Sequence, residues 1–357
     1  MKIAIIGFGG MGEFHLDKCV ERYNAKDRDE KIEVVGIYDI SEERCRYAAS
    51  RGLRCYTSKE ELFADGEVET VVIATPNDLH LPYVREAAAV GKNIIVEKPA
   101  GMSLAEVEAM YEAAESNGVV FSPHQNRRWD DDFVTLKSIF ESGELGRGYR
   151  IESRVMGANG IPGAWRKEVG RGGGMMLDWG VHLIDQMLSF GLGKIKSVMC
   201  SYSYMAGEEV DDGFWLEVLF ECGVTYRIVV DTNTFIKLPR WQMYAEDGTA
   251  TVVGWHNGAL EGRTVKVILR HDDKLVGVSA GNGFTKTMAN RRSETVLEKP
   301  IEFLMGDKTA FYTNFLDAVR GRCDTVVKKE EILELFRVME AARLSSERGE
   351  VIKENLN

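Results

Sequence analysis

The sequence predicts an α/β fold: a doubly wound parallel sheet at the N-terminal end, followed by an α+β unit whose antiparallel sheet covers a helix layer with one face. Three observations carry this expectation. Continuous apolar runs alternate with helical stretches over residues 1–123, the first run closes on a glycine-rich turn, and beyond residue 123 apolar and polar residues alternate around turn signals.

Taken in order, "KIAIIGFGGMG" is an apolar run ending in glycines, as in a strand buried on both faces, and a helix begins directly after it. "KIEVVGIYD", "VETVVIATP" and "KNIIVEKP" repeat the pattern, separated by the helical stretches "SEERCRYAASRG" and "HLPYVREAAAVG". Such alternation implies right-handed crossovers and parallel pairing. After "GVVFSPHQNRRW" the rhythm changes. "YRIESRVMG", "IKSVMCSYSYM", "FWLEVLFECGVTYRIVVDT", "WQMYAEDGTATVVG" and "TVKVILRH" alternate as one-sided antiparallel strands do, and "KEEILELFRVMEAARLSSERG" is a closing helix ending at a glycine C-cap. The expected division is a parallel-sheet domain at 1–123 and an α+β domain at 124–357. Nothing repeats at a solenoid period.

Composition narrows the function. With 44% hydrophobic and 28% charged residues the chain is that of a soluble globular protein. A net charge of -11 supplies no basic field for nucleic acid. No apolar run of about 18 residues is present to cross a bilayer. The N-terminus enters a strand without a charged leader or an apolar signal core, so the expected compartment is the cytoplasm. Cys19, Cys45, Cys55, Cys200, Cys222 and Cys323 are scattered without CxxC or metal-ligand spacing, so structural thiols and no metal are expected.

The glycine turn is Gly7-Phe8-Gly9-Gly10-Met11-Gly12, a GxGxxG after a strand and before a helix. Gly7 permits the tight turn, Gly9 lets the backbone approach a pyrophosphate, and Gly12 lets helix and strand pack closely. The helix N-terminus offers free N–H groups to phosphate. Asp39, ending the second strand, suits the adenosine ribose hydroxyls and repels a 2′-phosphate, which favours NAD over NADP, while the nearby Arg44 pulls the other way. Glu97-Lys98-Pro99 closes the strand "NIIV", where carboxyl ends border the ligand crevice, so Lys98 is expected to face the nicotinamide end; Pro99 restricts Lys98 and is compatible with a cis bond. The same tripeptide recurs as Glu298-Lys299-Pro300 without a βα setting.

In "GGGMMLDWGVHLIDQM", residues 172–187, Asp178 and His182 share a helix face, with Asp185 a turn further on. The glycines allow a backbone or cofactor to come close. An imidazole can take a hydroxyl proton while hydride leaves the same carbon, and a carboxylate can orient it. The competing reading makes Asp178 a first-turn acid and His182 a core histidine.

Together, "IGFGGMG", "TPNDLH", "GKNIIVEKPA", "NRRW", "AWRKE" and "GGGMMLDWGVHLID" make almost the whole chain resemble the glucose–fructose oxidoreductase, inositol dehydrogenase and rhizopine-catabolism (Gfo/Idh/MocA) family. The resemblance implies a Rossmann domain and a domain with an open, predominantly antiparallel sheet used in a homodimer or homotetramer. It also implies hydride exchange between NAD(P) and a sugar, inositol or related polyol. By motif match, Lys98 resembles the family lysine at substrate and nicotinamide, His182 its proton-transfer residue, and Asp178 the acid beside it. Thr75, Pro76, Asn77, His80, Glu97 and Gln125 fall at the cofactor cleft, with His124 bordering it. Arg127, Trp165 and Arg166 fall near nicotinamide or substrate, although either arginine could serve a domain-interface ion pair instead. Two other functions stay open: tightly held NAD used for transient sugar oxidation, in glycoside cleavage or exchange between sugars, and a non-catalytic dinucleotide sensor. Trp129, Trp179, Tyr202 and Tyr204 could stack on a sugar or serve the core.

Overall fold

In the computed structural model, which describes residues 1–163, 165–254, 260–269, 277–286 and 291–356, two sheets organise the chain. Strands β1 (Lys2–Ile6), β2 (Glu33–Tyr38), β3 (Thr70–Ile73), β4 (Asn93–Val96) and β5 (Phe121–Pro123) form a wholly parallel sheet in the order β2-β1-β3-β4-β5. All of β3 and Ile94, Ile95 and Val96 of β4 are buried, which is why these strands read as unbroken apolar runs rather than alternating ones. Strand order reverses between β1 and β3, and a ligand crevice lies beyond the carboxyl ends at such a point. Gly7, Thr75 and Lys98 all emerge there.

The second sheet joins β6 (Gly148–Met156), β7 (Ile195–Ser203), β8 (Gly213–Phe220), β9 (Thr225–Asp231), β10 (Trp241–Ala245), β11 (Gly248–Val253) and β12 (Glu261–Val267) with a further strand. β13 (Gly277–Ala280) and β14 (Gly283–Lys286) make a separate hairpin, and β15 (Val296–Pro300) completes the order β15-β12-β11-β10-β6-β9-β8-β7. Only β6 with β9 is parallel among these pairs. Along β9 buried and half-buried residues alternate, as in a sheet covered on one face. The covered face packs against the helices Val181–Leu188 and Lys329–Arg348. Ser345 and Ser346 of the latter accept hydrogen bonds from the backbone N–H of Cys200 and Tyr202 at 2.9 Å, so the β7 edge is closed. Tyr149 of β6, Met199 of β7 and Val253 of β11 are exposed on this sheet. No described helix is long and apolar enough to cross a membrane.

Three expectations change. β13, β14 and β15 were not anticipated, since the short, mostly exposed "VLEKP" has neither alternation nor an apolar run. Glu298-Lys299-Pro300 lies on this edge strand, paired with β12. The strand expected as "TVKVILRH" starts earlier, at Glu261, and ends at Val267; its Arg270 and His271 lie outside the described residues. Cys45 and Cys55 form a disulfide with Cα atoms 5.5 Å apart, while the other four cysteines are free. After the helix Glu42–Ser50 the chain turns back so that Cys55 bridges Ile37 of β2, a proximity that spacing alone does not disclose.

Candidate active site

The glycine turn is shaped by contacts that only glycine allows. Gly7 has φ +88°, and a Cβ there would lie 2.6 Å from the Ala74 carbonyl oxygen. At Gly12 a Cβ would lie 2.2 Å from the Gly7 carbonyl oxygen. Gly9 and Gly10, by contrast, have nothing within 4 Å of such a position, so their backbone stays open to a ligand at the start of the helical residues 10–25. Phe8 is fully buried, and Met11 half-buried.

Asp39 is built into this turn. Its Oδ2 accepts the Phe8 N–H at 2.7 Å and its Oδ1 the Ser41 N–H at 2.8 Å. Arg44 turns to Glu13, 2.9 Å away. Beyond β3, the Asn77 amide donates to the Gly172 carbonyl at 3.1 Å and so ties the turn after Pro76 to the second half of the chain. His80 is fully buried, with its ring nitrogens 3.0 Å from the carbonyls of Pro99 and Thr75. It staples the two loops beneath the cleft instead of lining it.

Lys98 precedes a cis bond to Pro99 and reaches across to the other half of the molecule. Its ammonium donates to the Asp178 carboxylate at 2.9 Å and to the Asp178 carbonyl at 3.0 Å. Arg166 Nε lies 3.1 Å from the other Asp178 oxygen, and its guanidinium covers the Trp165 ring at 4.4 Å. Burial pushes the Asp178 carboxyl up, yet the charges of Lys98 and Arg166 hold it below the ordinary value. Arg127 is bound to Asp130 at 2.9 Å and stacks over Trp179 at 4.6 Å.

His182 is 3% exposed, and its Nδ1 has no hydrogen-bond partner among the described residues. Burial, followed by the positive charges of Lys98 and Arg127, drives its pKa well below the ordinary value, so the imidazole is neutral. The carboxylate of Asp178 is directed to Lys98 and Arg166, which corrects the expectation that it orients His182. The helix opens with a π turn, Met176–Gly180, before the α-helix Val181–Leu188, and the carboxylate is taken by the two cations that other segments bring within 2.9 and 3.1 Å of it. Asp185 leaves the site altogether. Arg128 grips both its oxygens, at 2.6–3.1 Å, and Arg128 is also paired with Glu331 at 2.8 Å.

The three glycines admit protein rather than a ligand. A Cβ at Gly172 would meet Asn77 and Met102, at Gly173 the Arg166 carbonyl at 2.4 Å, and at Gly174 the Asp211 carboxylate at 2.2 Å.

Glu97 lies under Lys98 and is nearly buried. Its Oε1 receives His15 Nε2 at 2.8 Å and His124 Nδ1 at 2.7 Å, while Tyr312 stands 2.6 Å from His15 Nδ1. Burial raises the Glu97 carboxyl, but the two histidines outweigh it and hold the group ionised. His15, Cys19 and His124 bring one nitrogen, sulfur and nitrogen within 4.8 Å of one another. Both ring nitrogens of His15 are taken, by Glu97 and Tyr312, and His124 gives its Nδ1 to Glu97. Gln125 is buried at the end of β5, with its Oε1 unpartnered among the described residues, as is Thr75 Oγ1.

His15, Tyr312, Arg128 and Asp211 escaped sequence reasoning, because each meets its partner 57 or more residues away, or, for Asp211, 35 residues away. One signal was present: the unexplained acidic pair Asp211-Asp212 just before a strand. Ala164, within "AWRKE", lies outside the described residues.

Residues 1–125 match the family model described as "Oxidoreductase family, NAD-binding Rossmann fold", and residues 133–251 match the "GFO/IDH/MocA C-terminal domain". An uncharacterized oxidoreductase of Schizosaccharomyces pombe is 37% identical over 43% of this chain and 44% of that relative. The scyllo-inositol 2-dehydrogenase (NADP(+)) of Bacillus subtilis is 26% identical over 82% of this chain and 81% of its own. An NAD-binding protein from Listeria innocua superposes with TM-score 0.85 at 38% identity, covering 99% of this chain and 96% of that one.

Proposed function

Since this chain belongs to the Gfo/Idh/MocA family of oxidoreductases with a nicotinamide-nucleotide-binding Rossmann domain, we propose that it exchanges hydride with a secondary alcohol or ketone of a sugar, inositol or related polyol. One observation carries the reading. Lys98, from the carboxyl end of a parallel strand, meets Asp178 of the second half at 2.9 Å, on the helix that also presents a neutral, buried His182.

The chain fits the dinucleotide. The open backbone at Gly9 and Gly10 suits the pyrophosphate, Asp39 the ribose hydroxyls, and the unpartnered buried acceptors Thr75 Oγ1 and Gln125 Oε1 suit donors at the nicotinamide end. When bound, the cofactor supplies the ring carbon that accepts or returns hydride. His182, being neutral, takes the proton of the substrate hydroxyl. The Lys98 ammonium stabilises the developing alkoxide by a charge-assisted hydrogen bond, while Asp178, itself held by Arg166, keeps it in place. Arg127 over Trp179 and Arg166 over Trp165 border the substrate. Asp39, with Arg44 occupied by Glu13, favours NAD, although the Bacillus subtilis relative is named for NADP(+). The exposed apolar residues of the second sheet suit a second copy of the chain, as a homodimer or homotetramer.

A thermal-shift titration with NAD and NADP, each with inositols, hexoses, uronic acids and glycosides, tests this, followed by an assay of reduced nicotinamide. A shift with NAD that grows with one polyol class, with free NADH released, supports it. Failure of every polyol to shift or turn over rejects the substrate class, and products without free NADH move the reaction to transient oxidation.

A further inference from the structure

Asp211 stands between β7 and β8, outside the helix that carries Asp178 and His182, yet it closes that helix's first turn. Its carboxylate Oδ2 accepts the Met176 N–H at 2.9 Å, and its backbone carbonyl accepts the Met175 N–H at 3.0 Å. The helix has no side-chain cap of its own: the residue before its first turn is Met175, which offers no acceptor. Gly174 is what lets the carboxylate in. It has φ +100°, and a Cβ there would stand 2.2 Å from Asp211 Oδ1. The Gly174 carbonyl in turn accepts the Asp178 N–H at 3.1 Å, so the clamp connects directly to the residue that meets Lys98.

The support behind Asp211 is firm. Asp212 N–H donates to the Ser203 carbonyl at 2.9 Å, and Thr232 donates to the Asp212 carbonyl at 2.8 Å, which fixes the segment. Asp211 is 7% exposed.

We propose that Asp211 is a positioning residue of the active site: acting from the connection between β7 and β8 through the space at Gly174, it clamps the first turn of the catalytic helix and thereby sets where Asp178 meets Lys98 and where His182 stands. The proposal rests on the oxidoreductase reading for its catalytic consequence, but not for the clamp itself. Burial pushes the Asp211 carboxyl up to about 7, and the titratable groups facing it are Asp212, Cys200, Tyr202 and Tyr204. An ionised carboxylate accepts the Met176 N–H more strongly than a protonated one, so that half of the clamp tightens as pH rises through neutrality, while the Met175 bond to the backbone carbonyl does not change charge.

The test uses the full chain and three variants, Asp211→Ala, Asp211→Asn and Gly174→Ala. NADH binding is followed by fluorescence, turnover with the inositol most active in the panel above, and the Met176 amide and His182 imidazole by NMR on isotope-labelled protein. Asp211→Ala and Gly174→Ala are expected to lower kcat at least about tenfold with the NADH Kd within about twofold, since a displacement of about 1 Å at reacting groups is enough for such a loss. Asp211→Asn, which keeps an acceptor, should restore most of kcat but abolish the titration of the Met176 amide near pH 7. Wild-type kcat in Asp211→Ala, or Met176 amide and His182 imidazole resonances that stay at their wild-type positions in Asp211→Ala, overturns the proposal. If no inositol turns over, the substrate class fails while the Met176 and His182 resonances of the variants still decide the clamp. If the alanine variants do not fold, the Asn variant and the unmodified protein decide it.

Discussion

Lys98 and Asp178 meet twice, once through the carboxylate at 2.9 Å and once through the backbone carbonyl at 3.0 Å. The second contact matters because it fixes the ammonium against the turn of the helix rather than against a rotatable side chain alone. Arg166 takes the remaining carboxylate oxygen, so Asp178 is shared by two cations and Lys98 is left able to donate to a substrate oxygen.

Replacing Lys98 should therefore remove transition-state stabilisation while leaving the nucleotide cradle intact. Lys98→Ala is expected to lower kcat by about a hundredfold to a thousandfold, the range for loss of one such donor. The NADH Kd should change little. Steady-state kinetics beside fluorescence titration checks this, and unaltered turnover would remove Lys98 from the chemistry.

The pKa of His182 lies below that of free imidazole because of burial and the charges of Lys98 and Arg127. As pH falls below about 6.5 the unfolded chain binds a proton that the folded one refuses, so stability is full above this pH and declines below it by about 1.4 kcal/mol per pH unit. His182→Asn should flatten that decline and also remove the acid limb of kcat/KM. Melting temperatures and rates measured from about pH 5 to 8 provide the check; parallel curves for variant and wild type would place the titration elsewhere.

Asp39 accepts two backbone hydrogens as well as facing the nucleotide cradle. Asp39→Asn keeps an acceptor for the Phe8 N–H but loses the charge. NADH affinity is expected to fall by about tenfold to a hundredfold, corresponding to a charged hydrogen bond of about 1.5–3 kcal/mol. NADPH affinity should rise or stay level. Parallel titrations with both nucleotides read the ratio, and a proportional loss of both would remove Asp39 from cofactor selection.

Arg128 neutralises the buried Asp185 one turn beyond His182. Burial raises the Asp185 carboxyl and Arg128 opposes this, so without the arginine the ionised form is unprotected. Arg128→Leu should cost about 3–5 kcal/mol near pH 8. The loss should shrink towards about pH 5, where the carboxyl can take up a proton. Urea unfolding at both pH values measures it, and an equal loss at each would show that Asp185 stays ionised without its partner.

Much of the nucleotide-binding half was legible in the sequence because its signals are local. A buried parallel strand needs an apolar run, GxGxxG needs contacts within a few residues and with the next strand, and both appear as spacing. The closing helix with its C-cap at Gly349 was legible for the same reason. Lys98, Asp178 and His182 could be named as candidates from motif and helical period. Their relationships could not be. That Asp178 binds Lys98 and Arg166 rather than His182 depends on two segments 80 and 12 residues away in the chain. The pairing of His15 and His124 on Glu97, the grip of Arg128 on Asp185, and the entry of Asp211 beside Gly174 likewise arise only when distant segments pack. Short-range propensity and periodicity select the elements; burial then removes water, and each polar group left inside must find its partner wherever the packed chain happens to bring one.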